Sequence, residues 1–211
     1  MLKNQNFSIL ASAWIFIALF AFALSSASHA AGEQPLPDMA LGNPDAPVTI
    51  IEYSSLSCPH CAMFHKEVFP ELKKEYIDTG KARYVMREFP LDDTSLAGAV
   101  IARCLPESRY FAFADLLFSK QAGWAFKEDA LTPIKALAMQ AGMNGEEFNK
   151  CIDNEELQKK ILAVREDGQK KGVNATPSFF INGTLLKETP TLENFTKAMK
   201  PYLRETEGPA K

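Results

Sequence analysis

An α/β fold with an all-helical block inserted into its sheet is predicted by three features of the chain. An apolar, β-branched run at residues 48–53 leads into an amphipathic helical stretch and then a second strand-like run at 83–89. Residues 92–172 keep helical periodicity and contain no strand-like run. Strand signals return at 178–181, and Asn182-Gly183 followed by Thr184, Leu185 and Leu186 reads as a two-residue hairpin.

Each element has its own justification. Residues 31–47 hold Pro35, Pro37, Pro44 and Pro47 with Gly32 and Gly42, so they read as an extended leader. The run at 48–53 lacks polar alternation, as expected of a central strand covered on both faces, and Glu52 alone interrupts it. The next helix carries Phe64, Val68, Phe69, Leu72 and Tyr76 at helical spacing and stops at Gly80. Strand, helix and strand within residues 48–89 make a βαβ unit with a parallel pair and a right-handed crossover.

In the helical block, Ala97, Val100, Ile101 and Cys104 share one apolar face, and Phe148, Cys151 and Ile152 share another. Thr132 and Pro133 read as a cap followed by proline at the first helical position, with Gly142 closing that helix; Asn144 and Glu147 read as a capping box. Leu157, Ile161 and Val164 continue into a last helix ending near Gly172, and residues 192–203 form a final helix after the hairpin. The order βαβ, helical block, ββα is that of a thioredoxin-like fold with an inserted α-helical subdomain. Residues 48–91 and 173–204 then form the thioredoxin-like domain, 92–172 the inserted subdomain and 205–211 a C-terminal tail.

The N-terminus reads as a targeting segment. Lys3, an apolar run at 9–24 and the small-residue stretch ending Ser28-His29-Ala30 reproduce the three regions of a secretory signal peptide, 1–30, cleaved after Ala30. The alternative, an uncleaved anchor, needs roughly 20 apolar residues, more than this run supplies. The predicted location is therefore exported, the periplasm of a bacterium. A formal charge of -3 without a basic stripe argues against nucleic acid as a partner.

Cys58-Pro59-His60-Cys61 opens the first helix. Unpaired backbone N–H groups and the helix dipole there favour an anion, so Cys58 is expected to be a thiolate and the exposed nucleophile, with Cys61 shielded. His60 adds a donor or positive charge beside it. A stable thiolate makes the disulfide oxidising. The competing reading is half of a zinc site, but a closed site wants four ligands and only His65 stands at a usable spacing, so no metal is expected. Four cysteines in an oxidising compartment permit three pairings; the adjacent pair claims itself and leaves Cys104 with Cys151, against the alternative of two buried free thiols. Glu52 is either a charge at a sheet edge or a carboxyl buried near Cys61, where it can exchange protons with the departing sulfur.

Over roughly residues 46–204 the chain resembles the DsbA family of periplasmic thiol-disulfide oxidases. The resemblance rests on Cys58-Pro59-His60-Cys61, on Glu52 six residues before Cys58, on Gly145-Glu146-Glu147-Phe148, and on Val173-Asn174-Ala175-Thr176-Pro177 leading into Phe180-Ile181-Asn182-Gly183. It implies that Pro177 is a cis-proline beside the active cysteines and that Thr176 presents backbone groups to substrate. It also implies reduced, unfolded secreted polypeptides as partners, a DsbB-like membrane re-oxidase, a monomer and no cofactor. Two departures stand out: Thr176, where the best-known member has valine and disulfide isomerases have threonine, and the additional pair Cys104 and Cys151. An isomerase or reductase on the same scaffold is the alternative function, followed by a zinc-stabilised or peptide-binding module without redox turnover.

Overall fold

The computed structural model describes residues 36–204; the expected signal peptide, the first residues of the leader and the tail lie outside the described residues. The strand β2 (Val48–Ser54) lies at the centre of a five-stranded mixed sheet ordered β1-β3-β2-β4-β5. It runs parallel to β3 (Ala82–Glu88), in register from Val48 opposite Ala82 to Ser54 opposite Glu88, and antiparallel to β4 (Ser178–Ile181), with Ile51 opposite Phe180. Apolar packing on both faces, Val48 and Ile50 in the main core and Tyr53 with Phe89 and Val173 in a second cluster, explains its largely apolar run. One strand escapes the sequence pattern: β1 (Met39–Leu41) pairs antiparallel with the outer edge of β3 inside the stretch read as leader. Three residues are too few to show a period, and the pairing is dictated by the free edge of β3. Gly42 ends it at φ +90°, where a Cβ would sit 2.7 Å from the Ala82 carbonyl oxygen.

The crossover is a broken helix, not the single one the spacing suggests. The first piece, α1 (Pro59–Glu67), gives way to α2 (Phe69–Leu72) and a wide turn at Lys73–Ile77. Pro70 is the cause, because it brings no N–H for the preceding turn and its ring crowds that turn's carbonyl. The apolar face survives the break, with Phe64, Phe69, Leu72, Tyr76 and Ile77 all buried.

Five α-helices and one short 3-10 turn at Gln121–Gly123 separate β3 from β4: α3 (Asp93–Cys104), α4 (Glu107–Ser119), α5 (Leu131–Gln140), α6 (Gly145–Ile152) and α7 (Glu155–Lys170). Asn144 and Glu147 form the expected capping box on α6, and Asp92 with Ser95 forms another on α3. The start of α5 differs from expectation, since Thr132 and Pro133 already lie inside its first turn and the Asp129 carboxylate accepts the Thr132 N–H at 3.1 Å. Trp124, Tyr110, Phe113, Leu117 and Ile134 fill the block's interior, which is continuous with the core beneath the sheet. Cys104 at the end of α3 is bonded to Cys151 in α6, with Cα atoms 6.3 Å apart.

Two contacts fasten this block to the sheet. Arg103 of α3 makes a two-pronged ion pair with buried Glu88 of β3, and the Tyr110 hydroxyl of α4 donates to the same carboxylate at 2.7 Å. Gly168 brings α7 onto the face of β2. The chain then returns through β4, a turn with Asn182 and Gly183 both at positive φ, and β5 (Thr184–Leu185). The last helix, α8 (Leu192–Arg204), buries Phe195 and Met199. Among the described residues no helix is long and apolar enough to cross a membrane.

Gly168→Ala tests the close approach of α7. A Cβ there would stand 2.7 Å from Tyr53 Cε1 and 3.3 Å from Phe89 Cδ2. Tyr53 cannot swing away, because Phe89 and Phe180 pack edge-on against it and Arg87 donates to its hydroxyl at 3.0 Å. Gaining a helix-favouring alanine is worth about 1 kcal/mol, whereas overpacking a fixed aromatic costs roughly 1–3 kcal/mol. A net loss is expected, read as a lower urea midpoint at unchanged slope.

Candidate active site

Cys58 is the residue that caps α1, with extended backbone (φ -75°, ψ 121°), and Pro59 occupies the first turn, where its missing N–H leaves nothing unsatisfied. Cys61 follows one turn inside the helix. The two sulfurs are free thiols in unlike settings. A hydrogen bond from the Cys61 thiol does most to favour the Cys58 thiolate; burial opposes it, and the Thr176 hydroxyl and the backbone N–H groups of Cys61 and His60 reinforce it. Together they bring Cys58 down to about 5. Cys61 goes the other way, held well above the ordinary range by burial, by its role as donor to Cys58 and by the charge of Glu52.

Two expectations need correction. Cys58 is not an exposed nucleophile: only 5% of the residue is accessible, against 0% for Cys61, and what distinguishes them is the deeper burial of Cys61 together with their hydrogen bonds and the charge of Glu52. His60 is exposed, and the group through which it favours the Cys58 thiolate is its backbone N–H rather than a charged ring.

The wall opposite Cys58 is the segment before β4. Its Thr176–Pro177 bond is cis, and the Thr176 carbonyl oxygen stands 3.3 Å from Cys58 Sγ, accepting a hydrogen bond from it when Cys58 is protonated. The Thr176 hydroxyl is buried with no hydrogen-bond partner among the described residues and lies where it favours the thiolate. Two residues of the helical block grip the loop between β2 and α1. Gln121 Nε2 donates to the carbonyls of Leu56 and Cys58 at 2.8 and 3.0 Å, and the Ser57 hydroxyl donates to Asp92 at 2.6 Å. Asp92 is legible in sequence as a helix cap; Gln121 carries no local signal at all.

Beneath the cysteines lies a buried polar cluster. Glu52 is fully enclosed, and its Oε2 accepts a hydrogen bond from the Tyr84 hydroxyl and stands 3.2 Å from His65 Nε2. The other ring nitrogen of His65 is 3.3 Å from Asp115 Oδ1, close enough for charge attraction though not aligned as a hydrogen bond. Burial disfavours a charged His65, but Glu52 and Asp115 outweigh it and raise the imidazole to about 9. Burial and Glu52 push Tyr84 far up, so it stays a neutral donor. The sequence offered His65 only as a zinc candidate; both of its nitrogens face carboxylates instead, and among the described residues no three potential ligands cluster around a metal position. Its spacing of four residues from Cys61 places it on the inward face of α1, a signal that goes unused without a partner in view.

A sheet of this order carrying two cysteines of divided acidity at a helix start defines a thioredoxin-fold thiol-disulfide protein. Residues 35–201 match the thioredoxin family profile. The Wolbachia pipientis α-DsbA1 structure superposes with a TM-score of 0.75 at 34% identity, covering 82% of this chain and 94% of that one. A structure described as a protein-disulfide isomerase from Novosphingobium aromaticivorans gives a TM-score of 0.68 at 29% identity over 80% and 99% of the two chains. The chain belongs to the DsbA family of thioredoxin-fold proteins. A Rickettsia prowazekii relative, provisionally named a protein-disulfide oxidoreductase, is 34% identical over 79% of this chain, which spans 61% of that relative's length.

The acidity of Cys58 is open to direct test. In the reduced protein, iodoacetamide should modify Cys58 at a rate that stays on its plateau until the pH falls to about 5. A half-maximal rate near the ordinary cysteine value of about 8.5 would refute the arrangement of donors described here.

Proposed function

We propose that this chain is an exported thiol-disulfide oxidase that passes the Cys58–Cys61 disulfide to reduced, unfolded secreted polypeptides. The observation that carries the reading is the divided acidity of the pair: every donor around Cys58 acts on a thiolate, and the disulfide has no charge for them to stabilise. Stabilising the reduced form makes the disulfide an oxidant. Membership of the DsbA family supports the same direction, and the apolar run at residues 9–24 supports export to the periplasm with cleavage after Ala30.

A substrate thiolate attacks Cys58 Sγ, the Cys58–Cys61 bond breaks, and Cys61 leaves and takes up a proton. Glu52, buried beside it, supplies that proton. A second substrate thiolate then attacks the substrate sulfur of the mixed disulfide and expels Cys58, the better leaving group because its thiolate is stabilised. Two electrons pass from the substrate pair to the protein pair, which a DsbB-like membrane re-oxidase would return to the disulfide. Thr176 and Pro177 border the attacking sulfur, where backbone groups can align an extended substrate segment. The protein acts as a monomer without a cofactor.

One observation keeps a second reading in view: Thr176 precedes the cis-proline, and a relative at 29% identity is described as a disulfide isomerase. Stability measurements separate the oxidase from a reductase, the other alternative on the same scaffold. With Cys104 and Cys151 both replaced by alanine, to keep the second bridge out of the comparison, the reduced form is expected to melt above the oxidised one. Because the folded Cys58 value is depressed, its contribution is present above the unfolded value of about 8.5 and is lost as pH falls toward about 5, so the gap should widen as pH rises through that window. His65 is raised and loses its contribution from 6.5 to about 9, but it does so in both redox states and cancels. An oxidised form that melts higher would replace the oxidase reading with a reductase.

Turnover gives the complementary check. The oxidised protein should accelerate disulfide formation in reduced ribonuclease A. Pro177→Ala should slow it, and unchanged turnover would remove Pro177 from the substrate site.

A further inference from the structure

The oxidase cycle leaves a proton unaccounted for. Each time a substrate thiolate opens the disulfide, the leaving Cys61 must gain one proton, yet both Cys61 and the donor Glu52 are completely enclosed. Glu52 can give a proton once and must then be reloaded from water it does not touch. Oε2 of its carboxylate is met by two side chains, Tyr84 of β3, which donates to it, and His65 of α1, while Oε1 is buried with no hydrogen-bond partner among the described residues. Tyr84 leads nowhere, being fully buried and held neutral.

His65 leads outward. Its ring bridges the two carboxylates, with Nε2 3.2 Å from Glu52 and Nδ1 3.3 Å from Asp115 of α4. The His65 side chain is 3% exposed and that of Asp115 is 53% exposed, so the passage from interior to solvent is crossed within one imidazole. Both residues line a surface cavity of about 710 Å³ between α1 and α4, together with Lys66, Glu67 and Phe118. Phe118 stacks on the ring at 4.3 Å between centroids and Phe69 of α2 packs beside it at 4.9 Å, which fixes the imidazole with one nitrogen inward and one outward. Imidazole is the one side chain that can release a proton from one nitrogen while accepting another at the opposite nitrogen.

We propose that Asp115 and His65 form a proton inlet from the α1–α4 cavity to Glu52. The proposal rests on the oxidase reading and on Glu52 as the donor to Cys61. In each cycle His65 takes up a proton at Nδ1 from water held by Asp115, and the imidazolium so formed passes its Nε2 proton to the Glu52 carboxylate and ends as the Nδ1–H tautomer; re-oxidation of the cysteine pair, which sends the Cys61 proton back through Glu52 to Nε2 and releases one from Nδ1, restores the starting ring. Of the two protons shed by the substrate thiols, one replaces the proton drawn in through the inlet and the other stays in solvent, because Cys58 ends as a thiolate. His65 is thus a positioning residue that acts through Glu52 and never meets the sulfur.

The test is the rate at which dithiothreitol opens the disulfide of the oxidised full chain, measured by acid quench and thiol alkylation and divided by the fraction of dithiothreitol present as thiolate. For the unaltered protein this rate should hold steady up to about pH 9 and fall above it, as His65 loses the proton it relays. His65→Gln keeps a polar side chain beside Glu52 but cannot relay; a loss of about 100-fold, the low end for a proton-transferring side chain, with no break near pH 9, is expected. Asp115→Asn, at a half-exposed position where folding is not at stake, should slow the reaction less and move the break to lower pH, since the carboxylate that favours the imidazolium is gone. If Glu52→Gln is slow while both other variants keep the parent's rate and break, the inlet is refuted and Glu52 stands. Should Glu52→Gln itself match the parent, Glu52 is not the donor and the inlet falls with it. A slow His65→Gln that keeps the break near pH 9 would show a packing role only.

Discussion

The divided acidity of the two sulfurs at the start of α1, with Cys61 a thiol and Cys58 a thiolate, sets the terms for the whole molecule. It makes one sulfur an acceptor and the other a donor, and the surroundings amplify the difference. Around Cys58 the N–H groups of the first helical turn and the Thr176 hydroxyl converge; around Cys61 there is apolar packing and the charge of Glu52. A helix that began one residue later, or a β4 segment set further away, would leave both sulfurs in similar settings and take the direction out of the chemistry. The sheet order, with β2 between β3 and β4, is what brings the Thr176–Pro177 segment against the helix that β2 launches.

Much of this was legible in residue order. The apolar run of β2, the Asn182-Gly183 turn, the capping box of α6 and the cysteine run all act over a few residues, and local physics is what a sequence displays. What stayed hidden is set by tertiary context. The pairing of β1 follows from an open edge on β3, the break between α1 and α2 from a proline sitting in a strongly apolar period, and the role of His65 from two carboxylates 13 residues before and 50 residues after it in the chain. The burial of Cys58 is hidden for the same reason, because the covering segments come from elsewhere in the fold.

The inserted helices do more than enlarge the core. Arg103 and Tyr110 converge on Glu88 at the end of β3, and the opposite end of the block reaches the cysteine loop through Asp92 and Gln121. The Cys104–Cys151 bridge ties α3 to α6 within the block, so the helix that Asp92 caps is anchored at both ends. Rigidity of that kind matters for a site whose reactivity depends on N–H groups aimed at one atom.

Gln121 touches the cysteine loop only through main-chain oxygens, the carbonyls of Leu56 and Cys58. Such an anchorage is blind to side chains. The identity of the two residues between the cysteines that tune the potential can drift or be redesigned without loosening it. Position 121 enjoys no such latitude, since a carboxamide of that reach is needed to hand two hydrogens to two carbonyls. The tunable part of the molecule and its fixed mount are therefore written in separate stretches of the chain, and potential can be altered by substitution at one without rebuilding the other.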